Sequence, residues 1–161
     1  MDNRYVKIFA SGSKAPLKAT PGHFATNHAH INYYLDMTTL KTRLSEAQEV
    51  AKHLAERFLF DKVVDTIVCL EGTQVILTAV VTTGLSLNKS IEAIQYYGGK
   101  LQSAAAVFST LDELNGCPIT SIYSPEDLTD YIYYDYRKCP LCEKGIKLDA
   151  LVNAYGYTTL G

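Results

Sequence analysis

The chain has 161 residues, of which 47% are hydrophobic and 20% charged, and its formal net charge is −2. That length suits one domain with one core, and the balance is that of a soluble globular protein rather than a disordered one. The charge leaves no basic face for a duplex nucleic acid, and no apolar run approaches the ~20 residues that cross a bilayer.

The opening residues, Met1-Asp2-Asn3-Arg4-Tyr5, lack the charged-then-apolar pattern of an export signal. Four cysteines (Cys69, Cys117, Cys139 and Cys142) are too sparse for a secreted disulfide scaffold. The expected compartment is therefore a reducing cytoplasm, with no membrane partner.

In chain order, residues 1–30 are polar and interrupted by Gly12, Pro16, Pro21 and Gly22, and they read as an irregular arm. From Ser45 onward, Ala47, Val50, Ala51, Leu54, Ala55 and Phe58 recur at helical spacing, and Ser45 with Gln48 has the form of a capping box. Val63-Val64-Asp65-Thr66-Ile67-Val68-Cys69 is a β-branched run suited to a buried strand, and Glu71-Gly72-Thr73-Gln74 is a turn. A second such run covers residues 75–81 and leads directly into Thr82-Thr83-Gly84. The spacing then predicts a helix from about Leu87 that buries Leu87, Ile91, Ile94 and Tyr97 and stops at Gly98-Gly99. Strands over 103–108 and 119–123 follow, and Ser124-Pro125-Glu126-Asp127 reads as a brief helix start. Strand, turn, helix and strand in succession make a βαβ unit. The expected class is α/β, a single domain over 1–161 with a mainly parallel sheet flanked by helices.

In such sheets ligands bind beyond the carboxyl ends of the strands. Thr82-Thr83-Gly84-Leu85-Ser86 occupies that position. A helix N-terminus offers unpaired amides and a favourable dipole to an anion, hydroxyls add donors, and glycine permits an unusual backbone. On local sequence alone, an ordinary turn with Ser86 or Asn88 as helix cap fits equally well.

Four segments together favour the phosphate. The stretch 75–94 resembles the phosphoribosyl-pyrophosphate motif of type I phosphoribosyltransferases. Gly22-His23-Phe24 through Tyr33-Tyr34-Leu35-Asp36 is similar to the base-binding segment of the orotate branch. Val64 through Gly72 looks like the strand and loop that bind pyrophosphate, and Cys139-Pro140-Leu141-Cys142-Glu143-Lys144-Gly145-Ile146 resembles a C-terminal segment of many bacterial orotate enzymes.

This resemblance implies a type I phosphoribosyltransferase-like fold, with residues 1–40 as arm and base-binding segment. It also implies an enzyme that joins orotate, or a related base, to phosphoribosyl pyrophosphate with Mg²⁺ and acts as a homodimer. By position, Thr82, Thr83, Gly84, Leu85 and Ser86 would hold the 5′-phosphate; Glu71, Gly72 and Thr73 would meet the pyrophosphate; Asn27, Tyr33 and Tyr34 would line the base site. The alternative is a non-catalytic nucleotide-binding regulator of the same fold.

Three departures bear on that choice. Thr78 and Ala79 stand where the family carries two acidic residues facing the ribose, and Leu85 stands where a small residue is usual. Only nine residues separate Gly72 from Thr82. A parallel pair needs a crossover of about a dozen residues or more, so either a break between 74 and 80 or a rearranged sheet is expected.

The other polar clusters have plainer readings. Cys139 and Cys142 form one C-x-x-C, and neither Cys69 nor Cys117 lies near enough in sequence to complete four zinc ligands. A reduced pair is expected there and no metal ligand is assigned. His23, His28 and His30 leave metal binding open, with a surface or base-site role preferred. Asp112, Glu113, Asp127 and Asp130 read as solvated turn residues, and the tyrosine-rich 131–136 as packing over a sheet edge.

Overall fold

The computed structural model describes residues 5–59, 78–98, 101–153 and 156–160. Ten strands and four α-helices are assigned among them. In chain order they are β1 (Val6–Ile8), β2 (Leu17–Ala25), β3 (His30–Asp36), α1 (Thr38–Thr42), α2 (Leu44–Glu56), β4 (Thr78–Val81), α3 (Leu85–Tyr96), β5 (Ala104–Ser109), β6 (Glu113–Leu114), β7 (Cys117–Tyr123), β8 (Tyr133–Tyr134), α4 (Pro140–Glu143), β9 (Ala150–Asn153) and β10 (Gly156–Thr159). The strand expected over 63–69, the Glu71-Gly72-Thr73 loop and the joint at 74–77 lie outside the described residues.

The architecture is mixed α/β with two sheets. One is four-stranded in the order β4-β5-β7-β6. Here β4 pairs parallel with β5, and β5 parallel with β7, so β4, α3 and β5 form the expected βαβ unit. Short apolar strands alternate their side chains between two covered faces. Ala106 joins Val81, Ile119 and the buried Leu87 and Ile91 of α3 in one cluster. Phe108 and Tyr123, with the partly buried Ala105 and Val107, join the main core.

The second sheet corrects the reading of the first thirty residues. Instead of an irregular arm, β1 and β2 belong to a six-stranded sheet in the order β10-β9-β2-β3-β8, with β1 also on β2. It is largely antiparallel: β2 runs antiparallel to β1 and β3 and parallel only to β9. A mainly parallel sheet therefore describes only the smaller of the two. Pro21 and Gly22 do not end β2; they fall where its register against β3 shifts, between Pro21 and Phe24. A bulge of this kind tolerates a residue without an N–H and re-aims the next side chains. As a result Leu17, Ala19 and Phe24 all reach the core.

The two sheets meet in one core. Leu17, Phe24, Ile31 and Leu35 cluster with Phe108 and Tyr123, and Val50 and Leu54 of α2 pack with them. The α2 helix runs where its periodicity placed it, but Arg43 is the N-cap and no side chain caps it, so the Ser45–Gln48 box is not formed. On α3, Tyr97 is 85% exposed rather than buried. Residues 124–127 make a turn, in which the Asp127 Oδ2 accepts from the Ser124 amide at 2.9 Å, rather than a helix. The expectation of tyrosines at a sheet edge holds for β8, which pairs with β3 at the sheet's margin. Among the described residues no helix is long and apolar enough to cross a membrane.

Tyr131 seals the core between β8 and β5. Its ring meets Phe108 with centroids 4.9 Å apart. Its hydroxyl is buried and has no hydrogen-bond partner among the described residues, and burial pushes its pKa well up. An unmet buried hydroxyl costs free energy that its removal recovers. Tyr131→Phe should therefore unfold at equal or higher denaturant concentration, with a gain of up to ~1 kcal/mol. A loss of stability of that size in the same titration would show that the hydroxyl is bonded.

Candidate functional site

The β4 strand ends at Val81 and α3 begins at Leu85, so residues 82–84 make the whole connection. Gly84 is the N-cap of α3 and sits in the left-handed region with φ of 71°. Few residues other than glycine adopt that backbone without strain. It is also closely overlaid: a Cβ there would lie 3.0 Å from Leu111 Cδ1 and 3.1 Å from Leu114 Cδ2.

The neighbouring loop after β5 holds the turn in place. The Thr110 amide donates to the Val81 carbonyl at 3.0 Å, and the Thr110 hydroxyl donates to the Thr82 carbonyl at 2.7 Å. Inside the turn the Leu85 amide reaches Thr83 Oγ1 at 3.5 Å, and the Asn88 amide donates to the Gly84 carbonyl at 2.8 Å. Amides in the first turn of a helix have no partner within it and are free for an anion.

The turn opens on a cleft lined by Val80, the turn itself, Leu85, Ser86, Leu87 and, from the facing hairpin, His28. Thr82, Thr83, Gly84, Leu85 and Ser86 are thus brought to one concave surface, as the sequence suggested. Leu85 is 49% exposed, so its bulk lies on the helix flank toward solvent. No carboxylate is among these lining residues. They do not by themselves provide the oxygen ligands Mg²⁺ prefers.

The base-site candidates are placed differently. Asn27 is exposed in the β2–β3 turn, which closes through the Thr26 amide donating to the Ala29 carbonyl at 2.8 Å. It is the sequence neighbour of the cleft-lining His28. Tyr33 and Tyr34 lie further along β3, opposite Pro21 and Thr20 of β2. Tyr34 packs its ring against Tyr157 at 4.7 Å and Phe24 at 5.9 Å, and burial, then Asp36 and Tyr157, raise its pKa. Neither tyrosine lines the cleft at the turn.

A second constellation joins residues that the sequence presents in two distant groups. His23 of β2, His30 at the start of β3, Cys139 at the N-cap of α4 and Cys142 within α4 each offer one ligand atom, all within 4.8 Å of one another. Both cysteines are free thiols. His23 is 2% exposed, and its Nδ1 lies 3.1 Å from the Ile146 carbonyl, to which it donates. That bond fixes Nε2 as the atom facing the cluster. Burial and then the neighbouring His23 lower the pKa of His30, which favours its neutral form. Cys139 and Cys142 are the reduced pair the sequence suggested, and the fold sets them beside two histidines of a hairpin more than a hundred residues earlier, with Cys139 Sγ 3.4 Å from His23 Nε2.

No protein-family model matches the chain, and no solved structure matches it. Over an alignment 112 positions long, gaps included, that covers 63% of the chain, it is 31% identical to an orotate phosphoribosyltransferase of Caldanaerobacter subterraneus subsp. tengcongensis. The match spans 57% of that protein, so the chain covers little more than half the length of the curated relative.

The turn makes a direct prediction. Gly84→Ala must adopt an unfavourable φ and press a methyl group against Leu111 and Leu114, so it should destabilise the chain by roughly 1–3 kcal/mol. Chemical denaturation measures this. An unchanged midpoint would mean that the backbone at residue 84 is not left-handed.

Proposed function

We propose that the chain is a phosphoribosyltransferase-like enzyme that joins orotate, or a related base, to phosphoribosyl pyrophosphate, releasing pyrophosphate and a nucleoside 5′-monophosphate. One observation carries the reading: a glycine-hinged turn at the carboxyl end of a parallel strand opens its helix N-terminus onto a cleft. The similarity to an orotate phosphoribosyltransferase supports it.

In this reading the 5′-phosphate sits at residues 82–86, taking amides of the first turn of α3 and the hydroxyls of Thr82, Thr83 and Ser86. The dipole of α3 favours that anion. The base enters from the hairpin side, where His28 lines the cleft and Asn27 precedes it in the hairpin turn. Charge builds on the departing pyrophosphate as the bond to the ribose carbon breaks, and the chain's contribution is to hold donor and base in line. Mg²⁺ supplies charge neutralisation for the pyrophosphate when it arrives with the donor. The active form would be a cytoplasmic homodimer.

Thr78-Ala79, in place of the acidic pair that faces the ribose in the family, favours a second reading: the fold binds the ribosyl phosphate as a regulator and does not turn it over.

Orotate consumption and pyrophosphate release, measured with phosphoribosyl pyrophosphate and Mg²⁺, separate the two. Turnover is expected, with Thr83→Val raising KM for the donor by about tenfold, the value of one hydrogen bond to a charged group, at little cost to kcat. Donor binding by calorimetry without turnover selects the regulator. Absence of both would overturn the phosphate assignment.

A further inference from the structure

We propose that His23, His30, Cys139 and Cys142 bind one Zn²⁺ ion in a closed, structural site. The inference is independent of the transferase reading, because it uses none of the residues at the turn.

The distances are those of a coordination shell. Zinc bonds of ~2.0–2.1 Å to nitrogen and ~2.3 Å to sulfur, set tetrahedrally, separate the ligand atoms by ~3.3–3.8 Å. His23 Nε2 lies 3.2 Å from His30 Nδ1, 3.4 Å from Cys139 Sγ and 3.8 Å from Cys142 Sγ. His30 Nδ1 lies 3.4 Å from Cys142 Sγ. Four edges of the tetrahedron are thus at or close to their ideal lengths. Two imidazoles and two thiolates in this arrangement select zinc over the oxygen-seeking Mg²⁺ or Ca²⁺.

The surroundings fit as well. The hydrogen bond from His23 Nδ1 to the Ile146 carbonyl is of the kind that orients a zinc-bound histidine and fixes its tautomer. The Cys139–Cys142 spacing is held by the first turn of α4, where the Glu143 amide donates to the Cys139 carbonyl at 3.1 Å and the Gly145 amide to the Cys142 carbonyl at 2.9 Å. Pro140 starts that helix, so both sulfurs project to one side of a rigid turn. Cys139 is 1% exposed while Cys142 is exposed, which opens the site to an ion from the Cys142 side. With all four positions filled by the chain, no coordination site is open for a substrate or a reactive water. The role is therefore to tie the C-terminal segment to the β2–β3 hairpin.

The test uses the full chain, purified under reducing conditions. Elemental analysis should give one zinc per chain. After removal of zinc by a chelator and addition of Co²⁺, the wild-type protein should show the intense visible bands of tetrahedral cobalt and a thiolate-to-cobalt charge-transfer band in the near ultraviolet. One equivalent of Zn²⁺ should abolish both. Cys142→Ser, at an exposed position that should tolerate the change, should reduce the charge-transfer intensity by about half, while His53→Gln should leave the spectrum unchanged. The metal-free protein should melt roughly 10 °C lower than the zinc form. Absence of bound zinc together with absence of tetrahedral cobalt spectra in the wild-type protein would overturn the proposal. So would a Cys139–Cys142 disulfide in the freshly isolated chain, or a spectrum indifferent to Cys142→Ser.

Discussion

A buried imidazole sets the terms for much of this structure. His23 has almost no contact with water, and a ring with two nitrogens in that position must have both satisfied or lose several kcal/mol. One nitrogen is met by a backbone carbonyl beyond α4 and the other by the His30 and cysteine atoms. The backbone around it is equally constrained. The His23 amide donates to Asp149 Oδ2 and the Asp149 amide donates to the His23 carbonyl, each at 2.8 Å. Gly22 is required beside it, because a Cβ would come within 2.8 Å of the Phe24 ring and 2.9 Å of the Asp149 carboxylate. The register shift between Pro21 and Phe24 falls at this point of β2, where His23 and Phe24 are buried one after the other.

That bulged strand links the two regions of chemical interest. The β2–β3 hairpin carries His23 and His30 into the cluster and presents His28 to the cleft at residues 82–86. The cleft thus has one wall from the parallel βαβ unit and one from an antiparallel hairpin, and the hairpin's position is set partly by the C-terminal segment. Contact with β9 adds only the pairs Phe24–Ala150 and Ala25–Leu151. The His23–Asp149 hydrogen bonds, the rings of Phe24 and Tyr34 on Tyr157, and the cluster are further ties between hairpin and C-terminal segment, so what happens at the cysteines bears on the hairpin that walls the cleft.

What the sequence revealed follows from how local each signal is. The α2 periodicity, the β-branched run into β4 and the glycine turn before α3 are each written within a dozen residues, and α2, the described part of the run from Thr78 to Val81 and the turn are where the pattern put them. The first thirty residues were misread because Pro21 and Gly22 normally punctuate a chain, whereas here they serve a bulge inside a strand. Tyr97 departs from the pattern because it is the C-cap, past the last residue of α3, and lies 85% exposed although Leu87 and Ile91 on the same helix are buried. The cluster was hidden for a different reason. Each half is an incomplete ligand set, and the pairing Ala25–His30 that brings the two histidines together exists only once β2 and β3 are known to be a hairpin. A C-x-x-C beside a helix-starting proline, together with two histidines flanking a tight turn, is the signal that could have joined them.

The order in which the chain is made adds a constraint of its own. His30 leaves the ribosome 112 residues before Cys142. At ~5–20 residues per second, the histidine half of the cluster waits several seconds or more for its sulfur half. During that interval the hairpin can form, but His23 has neither its Ile146 carbonyl nor its thiols, so burying it is unfavourable. A nascent chain can complete its largest sheet only after its last fifth has emerged. Loss of that last fifth, by an early stop or by a protease, would be felt first at β2, near the beginning of the sequence.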